Sequence, residues 1–142
     1  MASIRADVEI AAGCGDVWDA VRDVGAVHLR LAPGFVSRVE MEGEARIVTF
    51  ANGLVVRERI IDVDDANRRL SYSATGGRAE HHNASIEVRP AGCGRCRMIW
   101  ITDVLPHSAA VPIGAMVRQG IEVIRTAMET ARAPTFGSGT RD

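Results

Sequence analysis

Lysine is missing from this sequence, and all 17 basic residues are arginine. That absence excludes lysine Schiff-base chemistry, the phosphate-binding lysine of a P-loop and a lysine general base. Aromatic residues make up only 4% of the chain: Trp18, Trp100, Tyr72 and three Phe. A stacking platform for single-stranded nucleic acid needs more of them. Charge of one sign is also lacking, because 18 acidic residues balance the arginines to a net −1. This argues against a nucleic-acid footprint or a polybasic membrane arm, so no nucleic-acid partner is expected. No stretch reaches the ~18 apolar residues of a membrane span, so no membrane insertion is expected. The start, Met1 to Asp7, lacks the charged and apolar regions of a signal peptide. Cys14, Cys93 and Cys96 form a small, odd set, which fits a reducing compartment. These absences lead to the expectation of a soluble cytoplasmic protein.

What is present is one domain's worth of chain. At 142 residues, 46% hydrophobic and 25% charged, the protein can bury a real core and a cavity without staples. A single domain is expected over residues 1–132. The Gly/Ser/Thr-rich stretch 133–142 is expected to be a flexible tail.

Residues 4–10 alternate as a half-buried strand does. Gly13, Cys14, Gly15 and Asp16 then break the chain, and Asp16 is expected to cap a short helix. Val17, Trp18, Val21 and Val24 would form the apolar face of that helix, and Gly25 would end or bend it. A second short helix is expected over 26–31, stopped by Pro33 and Gly34. From there the period becomes two, and 35–42, 45–51, 54–63, 68–75, 80–89 and 96–104 read as strands. Asn52-Gly53 is the strongest hairpin signal and predicts a type I′ turn, with φ > 0 at both residues. Turns this short imply antiparallel neighbours. Residues 112–132 form the one long helix, with Pro112 in its first turn. Arg118, Glu122, Arg125, Glu129 and Arg132 make a charged stripe that reads as a solvated face. Ile113, Met116, Val117, Gly120, Ile121, Ile124 and Met128 make the opposite, apolar face. This is an α+β pattern in which the helix must bury its apolar stripe on one face of the sheet.

The segment Asn52 to Ser73 carries a family resemblance. Asn52-Gly53, Glu58-Arg59-Ile60, Asp64-Asp65, Arg68, Leu70, Tyr72 and Ser73 resemble the matching stretch of bacterial polyketide cyclase/dehydrase-like proteins. These belong to the SRPBCC (START-like, helix-grip) superfamily. Val17-Trp18, Asp23 to Gly25, Pro33-Gly34 and the last strand, Trp100 to Val104, are similar as well, and the likeness covers roughly residues 4–131. It implies a helix-grip fold: a curved antiparallel sheet of about seven strands, in the order strand, two short helices, six strands, wrapped on a long C-terminal helix. It also implies an apolar cavity between sheet and helix, which for a small-molecule site means ~300–1,000 Å³. The superfamily hosts lipid carriers, hormone receptors, cyclases and co-chaperones, so fold alone does not fix activity. A more distant similarity is to plant abscisic-acid receptors, in which the positions matching Glu58 and Tyr72 look like cavity residues. Their hormone-contacting lysine has no match here, and their gate loop looks shortened to the Asn52-Gly53 turn.

The candidate catalytic residues are Glu58, Tyr72 and His82. Glu58 shares parity with Leu54, Val56 and Ile60, so a concave apolar face would make it a buried acid or base. The competing reading is an ion pair with Arg57, Arg59 or an arginine on a neighbouring strand. Tyr72, with Leu70 and Ala74, reads either as a packed core aromatic or as a ligand hydrogen-bonding group. His81 and His82 point to opposite faces of a strand and cannot jointly clamp a metal. Parity with Ala84 and Ile86 favours His82 inside, against the alternative of a surface pair near a turn. The inward face of the last strand is ambiguous by parity, and the resemblance favours Trp100 inward. The expected ligand-binding set is therefore Val56, Glu58, Ile60, Tyr72, Ala74, His82, Ala84, Trp100, Met116, Val117, Gly120 and Ile124. Cys93 and Cys96 have redox or zinc-knuckle spacing but no second Cys-x-x-Cys, so no metal site is expected. No cofactor motif is present.

Three functions compete. The first is a carrier or sensor for a small apolar or amphipathic molecule. The second is a cyclase or dehydratase using Glu58, Tyr72 or His82. The third is a co-chaperone-like interaction module, which would have a collapsed cavity and a large exposed apolar patch. A homodimer through an exposed sheet edge is compatible with all three.

Overall fold

Alternating apolar residues between short turns build a continuous antiparallel ladder in the computed structural model, which describes residues 2–132. The strands are β1 (Ala2–Ile10), β2 (Val36–Glu42), β3 (Ala45–Phe50), β4 (Val55–Asp64), β5 (Arg69–Thr75), β6 (His81–Pro90) and β7 (Cys96–Leu105). They pair in the order β1-β7-β6-β5-β4-β3-β2, so the first strand closes onto the last. Between β1 and β2 lie helix α1 (Cys14–Arg22) and a π-helical turn at Val27–Leu31. A 3₁₀ turn at His107–Ala109 leads into the long helix α2 (Ala110–Arg132). This is the helix-grip fold. The expected tail, 133–142, lies outside the described residues.

The inward face follows parity. Val56 and Glu58 of β4, Leu70, Tyr72 and Ala74 of β5, and Ala84, Ile86 and Val88 of β6 are all buried. Ile113, Val117, Ile121, Ile124 and Met128 of α2 pack onto that face. Burial of such side chains contributes roughly 1.5–3 kcal/mol each. Bulges curve the sheet: the register slips between Val36 and Arg38 in β2 and between Ile60 and Asp62 in β4. An extra residue on one strand bends it and increases its twist. At the β4 bulge Ile61 is turned out to solvent.

Four local expectations are corrected. Asp16 does not cap α1. Gly13 holds that position in extended backbone, and Asp16 sits in the first turn, where its charge suits the helix dipole. Gly25 does not end α1, which stops at Arg22. The second short helix expected over 26–31 is present as one π-helical turn, Val27–Leu31, closed by Ala32 N–H donating to the Val27 carbonyl at 2.8 Å. The turn at Asn52-Gly53 is not type I′, because only Gly53 has positive φ (92°). Gly53 N–H bonds the Phe50 carbonyl at 2.9 Å, and the Asn52 side chain accepts from Leu54 N–H at 3.0 Å. That is a three-residue loop of a type I turn followed by a left-handed glycine. The charged stripe of α2 is also not solvated throughout. Glu129 accepts from the Ala11 amide at 2.9 Å, tying the helix to the end of β1.

Candidate functional site

The cross-strand register sets the chemistry under α2. Arg46 on β3 lies directly opposite Glu58 on β4. Both side chains point inward, with only 4% and 8% of each residue exposed. The Arg46 Nε–H donates to Glu58 Oε1 at 2.8 Å, and its Nη1–H donates to the Val24 carbonyl at 3.2 Å. The same guanidinium lies 5.3 Å from the centre of the Tyr72 ring. Trp100, inward on β7, donates its indole N–H to the Tyr72 hydroxyl at 3.2 Å. A charged pair this deep stays only because each partner satisfies the other.

This cluster borders two adjoining hollows between the sheet and α2. The outer one, about 60 Å³, is walled by Phe50, Leu54, Val56, Ile113, Met116 and Val117. Glu58, Tyr72, Arg78, His82 and Trp100 supply its polar atoms. The inner one, about 50 Å³, runs beneath Gly120 and Ile124 and is reached by Arg46. Phe35, Phe50, Glu58, Tyr72 and Trp100 border both. A Cβ on Gly120 would sit 3.1 Å from both Phe35 and Trp100. The glycine thus lets both rings reach the helix. Phe35 also meets Phe50 edge to face, with centroids 5.5 Å apart.

Of the expected ligand-binding set, Val56, Glu58, Tyr72, His82, Trp100, Met116, Val117, Gly120 and Ile124 border these hollows. Ile60, Ala74 and Ala84 border neither. Ile60 sits half-buried where β4 begins to bulge. The methyl groups of Ala74 and Ala84 are overshadowed by their cross-strand partners, Glu58 and Tyr72. The expected single space of ~300–1,000 Å³ is likewise corrected. Phe35, Phe50, Tyr72 and Trp100 border the space that remains. The expected set lacks Phe35: the strand expected from residue 35 begins at Val36 and leaves Phe35 in the turn before it. Sequence reading also missed Arg46 as a specific partner, although Arg46, Val48 and Phe50 share one parity on β3.

Environment tunes the titratable groups. Burial, then the nearby Glu58 carboxylate, pushes the Tyr72 hydroxyl well above its ordinary value, so it stays protonated. Burial lowers His82 below its ordinary value, with His81 adding to the effect and Glu58 opposing it. His82 is therefore neutral at pH 7. Its neighbour His81 faces out and contacts Asn83 at 2.7 Å. Cys93 is exposed in a turn with φ of 47°, whereas Cys96 is fully buried on β7. Burial pushes the Cys96 thiol up to about 12, with Cys14 beside it adding to the shift. The Cys-x-x-Cys spacing thus does not place the two thiols in one environment. Among the described residues no three His, Cys, Asp or Glu side chains gather as a metal site would require.

A wider open groove, about 1,040 Å³, runs between α1, the π-helical turn and the second half of α2. Its Arg30 is already paired with Asp19 and Asp23, and Glu122 with Arg125. It lacks the buried convergent polar groups of the smaller hollows.

A family model described as polyketide cyclase / dehydrase and lipid transport matches residues 1–131. No curated protein matches the chain. Solved structures are similar throughout. A Thermobifida fusca protein, determined by solution NMR, is 27% identical with a TM-score of 0.74, over 95% of this chain and 98% of that one. Norcoclaurine synthase from Thalictrum flavum is 22% identical with a TM-score of 0.70, over 92% and 85%. A START superfamily protein from Mycobacterium smegmatis is 12% identical with a TM-score of 0.69, over 91% and 95%. The last two likenesses concern the fold.

Proposed function

This chain belongs to the polyketide cyclase / dehydrase and lipid transport family, and from that premise we propose that it binds a small hydrophobic or amphipathic molecule between sheet and α2, as a carrier or sensor. The observation that carries the reading is the pair of hollows bordered by apolar side chains and by Glu58, Tyr72 and His82. Apolar walls with a few placed polar groups are the usual form of a small-molecule site. Neither hollow matches the ~150 Å³ of an engineered cavity that takes benzene. Binding therefore requires the two to merge, and Phe35 and Phe50, which border both, are the side chains to move. Near-neutral charge and the absence of a helix able to cross a membrane among the described residues support a free small-molecule partner. Three unpaired cysteines support a cytoplasmic site of action.

The test is native mass spectrometry of the protein purified from its own host, with mild release of anything bound. A stoichiometric small apolar molecule is the expected result. An empty protein that also fails to take up any apolar probe would overturn the reading.

A second reading is favoured by one observation: Glu58, Tyr72 and His82 border the same hollow. A cyclase or dehydratase needs little more than a shaped pocket and an acid–base group. Arg46 already hydrogen-bonds Glu58, and His82, lowered by burial, is the neutral imidazole on the same hollow that can accept a proton. Turnover of the released molecule, lost in His82→Phe, separates the enzyme from the carrier.

A further inference from the structure

The hydrogen bonds inside the outer hollow leave specific valences unspent. The Tyr72 hydroxyl accepts from Trp100, but its own proton goes to no acceptor among the described residues. A buried phenol is expected to use that donor. Glu58 receives Arg46 on Oε1, whereas Oε2 takes no hydrogen bond from any described residue. An ionised carboxylate is an acceptor only. Both side chains border the same hollow. They stand on adjacent strands, with Ile60 opposite Tyr72 and Ala74 opposite Glu58, a diagonal neighbour relation within reach of long side chains. Between these two side chains the hollow thus presents one free donor beside one free acceptor, with Arg78 and His82 as further polar groups on its wall.

Few ligand groups meet both demands. A carbonyl or ether oxygen accepts from Tyr72 but brings nothing to Glu58. A carboxylate accepts from Tyr72 but has no proton to donate to Glu58. An ammonium donates to Glu58 but leaves the Tyr72 proton unmet. A hydroxyl does both through a single oxygen, accepting from Tyr72 while donating to Glu58. We infer that the polar end of the ligand is a hydroxyl group (an alcohol, phenol or enol) seated between Tyr72 and Glu58, with the apolar body against Phe35, Phe50 and Val117. This rests on the binding reading above and names the chemistry that reading leaves open. The arrangement also selects, because a site built to hydrogen-bond a hydroxyl discriminates strongly against the analogue without one.

Phenol and toluene test it, since they differ by a hydroxyl against a methyl of similar size. Each is titrated into the intact protein and followed by amide chemical shifts of Phe50, Tyr72 and Val117. Phenol is expected to bind at least about tenfold more tightly, the cost of leaving a buried donor and acceptor unmatched by toluene. In Tyr72→Phe, checked for folding by thermal unfolding, the preference should fall to about threefold, since one of the two hydrogen bonds is gone. The wild-type comparison stands even if the variant does not fold. Equal affinity for the two probes would overturn the hydroxyl assignment and leave the binding reading intact. Binding of neither would overturn both.

Discussion

The two ends of the sheet use one alternation pattern and fill it in opposite ways. At the β1–β7–β6 end the inward residues are mostly apolar and tight: Ile10, Cys96, Met98 and Val104 are fully enclosed, and Thr102 is the buried polar exception. Arginine and carboxylate meet there too, but on the outer face, where Arg97 pairs with Asp7 and Glu9 in solvent. At the β3–β4–β5 end the same cross-strand pairing is turned inward, as Arg46 and Glu58, and gaps remain around it. The difference teaches where this fold tolerates polarity. A charge pair on the outer face contributes about 0–1 kcal/mol and decides little. An inward pair must be matched atom for atom, and packing around its rigid geometry leaves the space a ligand can use.

The sharpest way to break the comparison is to remove one member of each pair. Arg46→Leu strands a buried carboxylate and is expected to cost about 3–5 kcal/mol in urea unfolding. Arg97→Leu on the outer face is expected to stay within about 1 kcal/mol. Equal losses would show that the two ends are not different in kind. Next in size is the packing contrast. Met98→Ala at the tight end should cost about 2–5 kcal/mol by the same measurement. Met116→Ala, beside a space that already exists, should cost clearly less, because little new cavity is made. Gly120→Ala is smaller still. The gain in helix propensity is about 1 kcal/mol, and it is offset by contacts at 3.1 Å with Phe35 and Trp100. The net change should be within about 1 kcal/mol, while uptake of apolar probes falls as the wall between the hollows stiffens.

The smallest effect is a pH dependence confined to the hollow end. Burial depresses His82 from its ordinary 6.5, so the unfolded chain binds the proton more readily than the folded one. Stability from this group is complete above pH 6.5 and declines as pH falls toward the lower folded value. Thermal midpoints measured from pH 7.5 to 5 should show a decline that His82→Phe reduces. A His81→Phe change, on the outer face, should leave it in place.

Much of this was legible before any coordinates. Each strand in 35–104 stood out because alternation and turn residues are local signals. Glu58 stood out because an acid among Leu54, Val56 and Ile60 breaks an apolar face. Arg46 was harder to read, since parity marks a face but not the partner across it. The turn at Asn52-Gly53 was located correctly and typed wrongly. The Asn52 side chain bonds the following backbone, and one left-handed glycine then suffices. Phe35 is harder to read because alternation marks a strand but not its first residue, and β2 starts only at Val36.

The amino-acid order by itself determined the element sequence, the antiparallel neighbours and the face on which Glu58, Tyr72 and His82 lie. These follow from a side-chain period of two and from turns too short for any other connection. Tertiary structure alone decided that Arg46 neutralises Glu58 and that Trp100 occupies the acceptor side of Tyr72. It also decided that two aromatic rings, admitted by Gly120, border both of the small hollows. Volume and hydrogen-bond satisfaction depend on several chain segments meeting at one point, and no local pattern encodes that meeting.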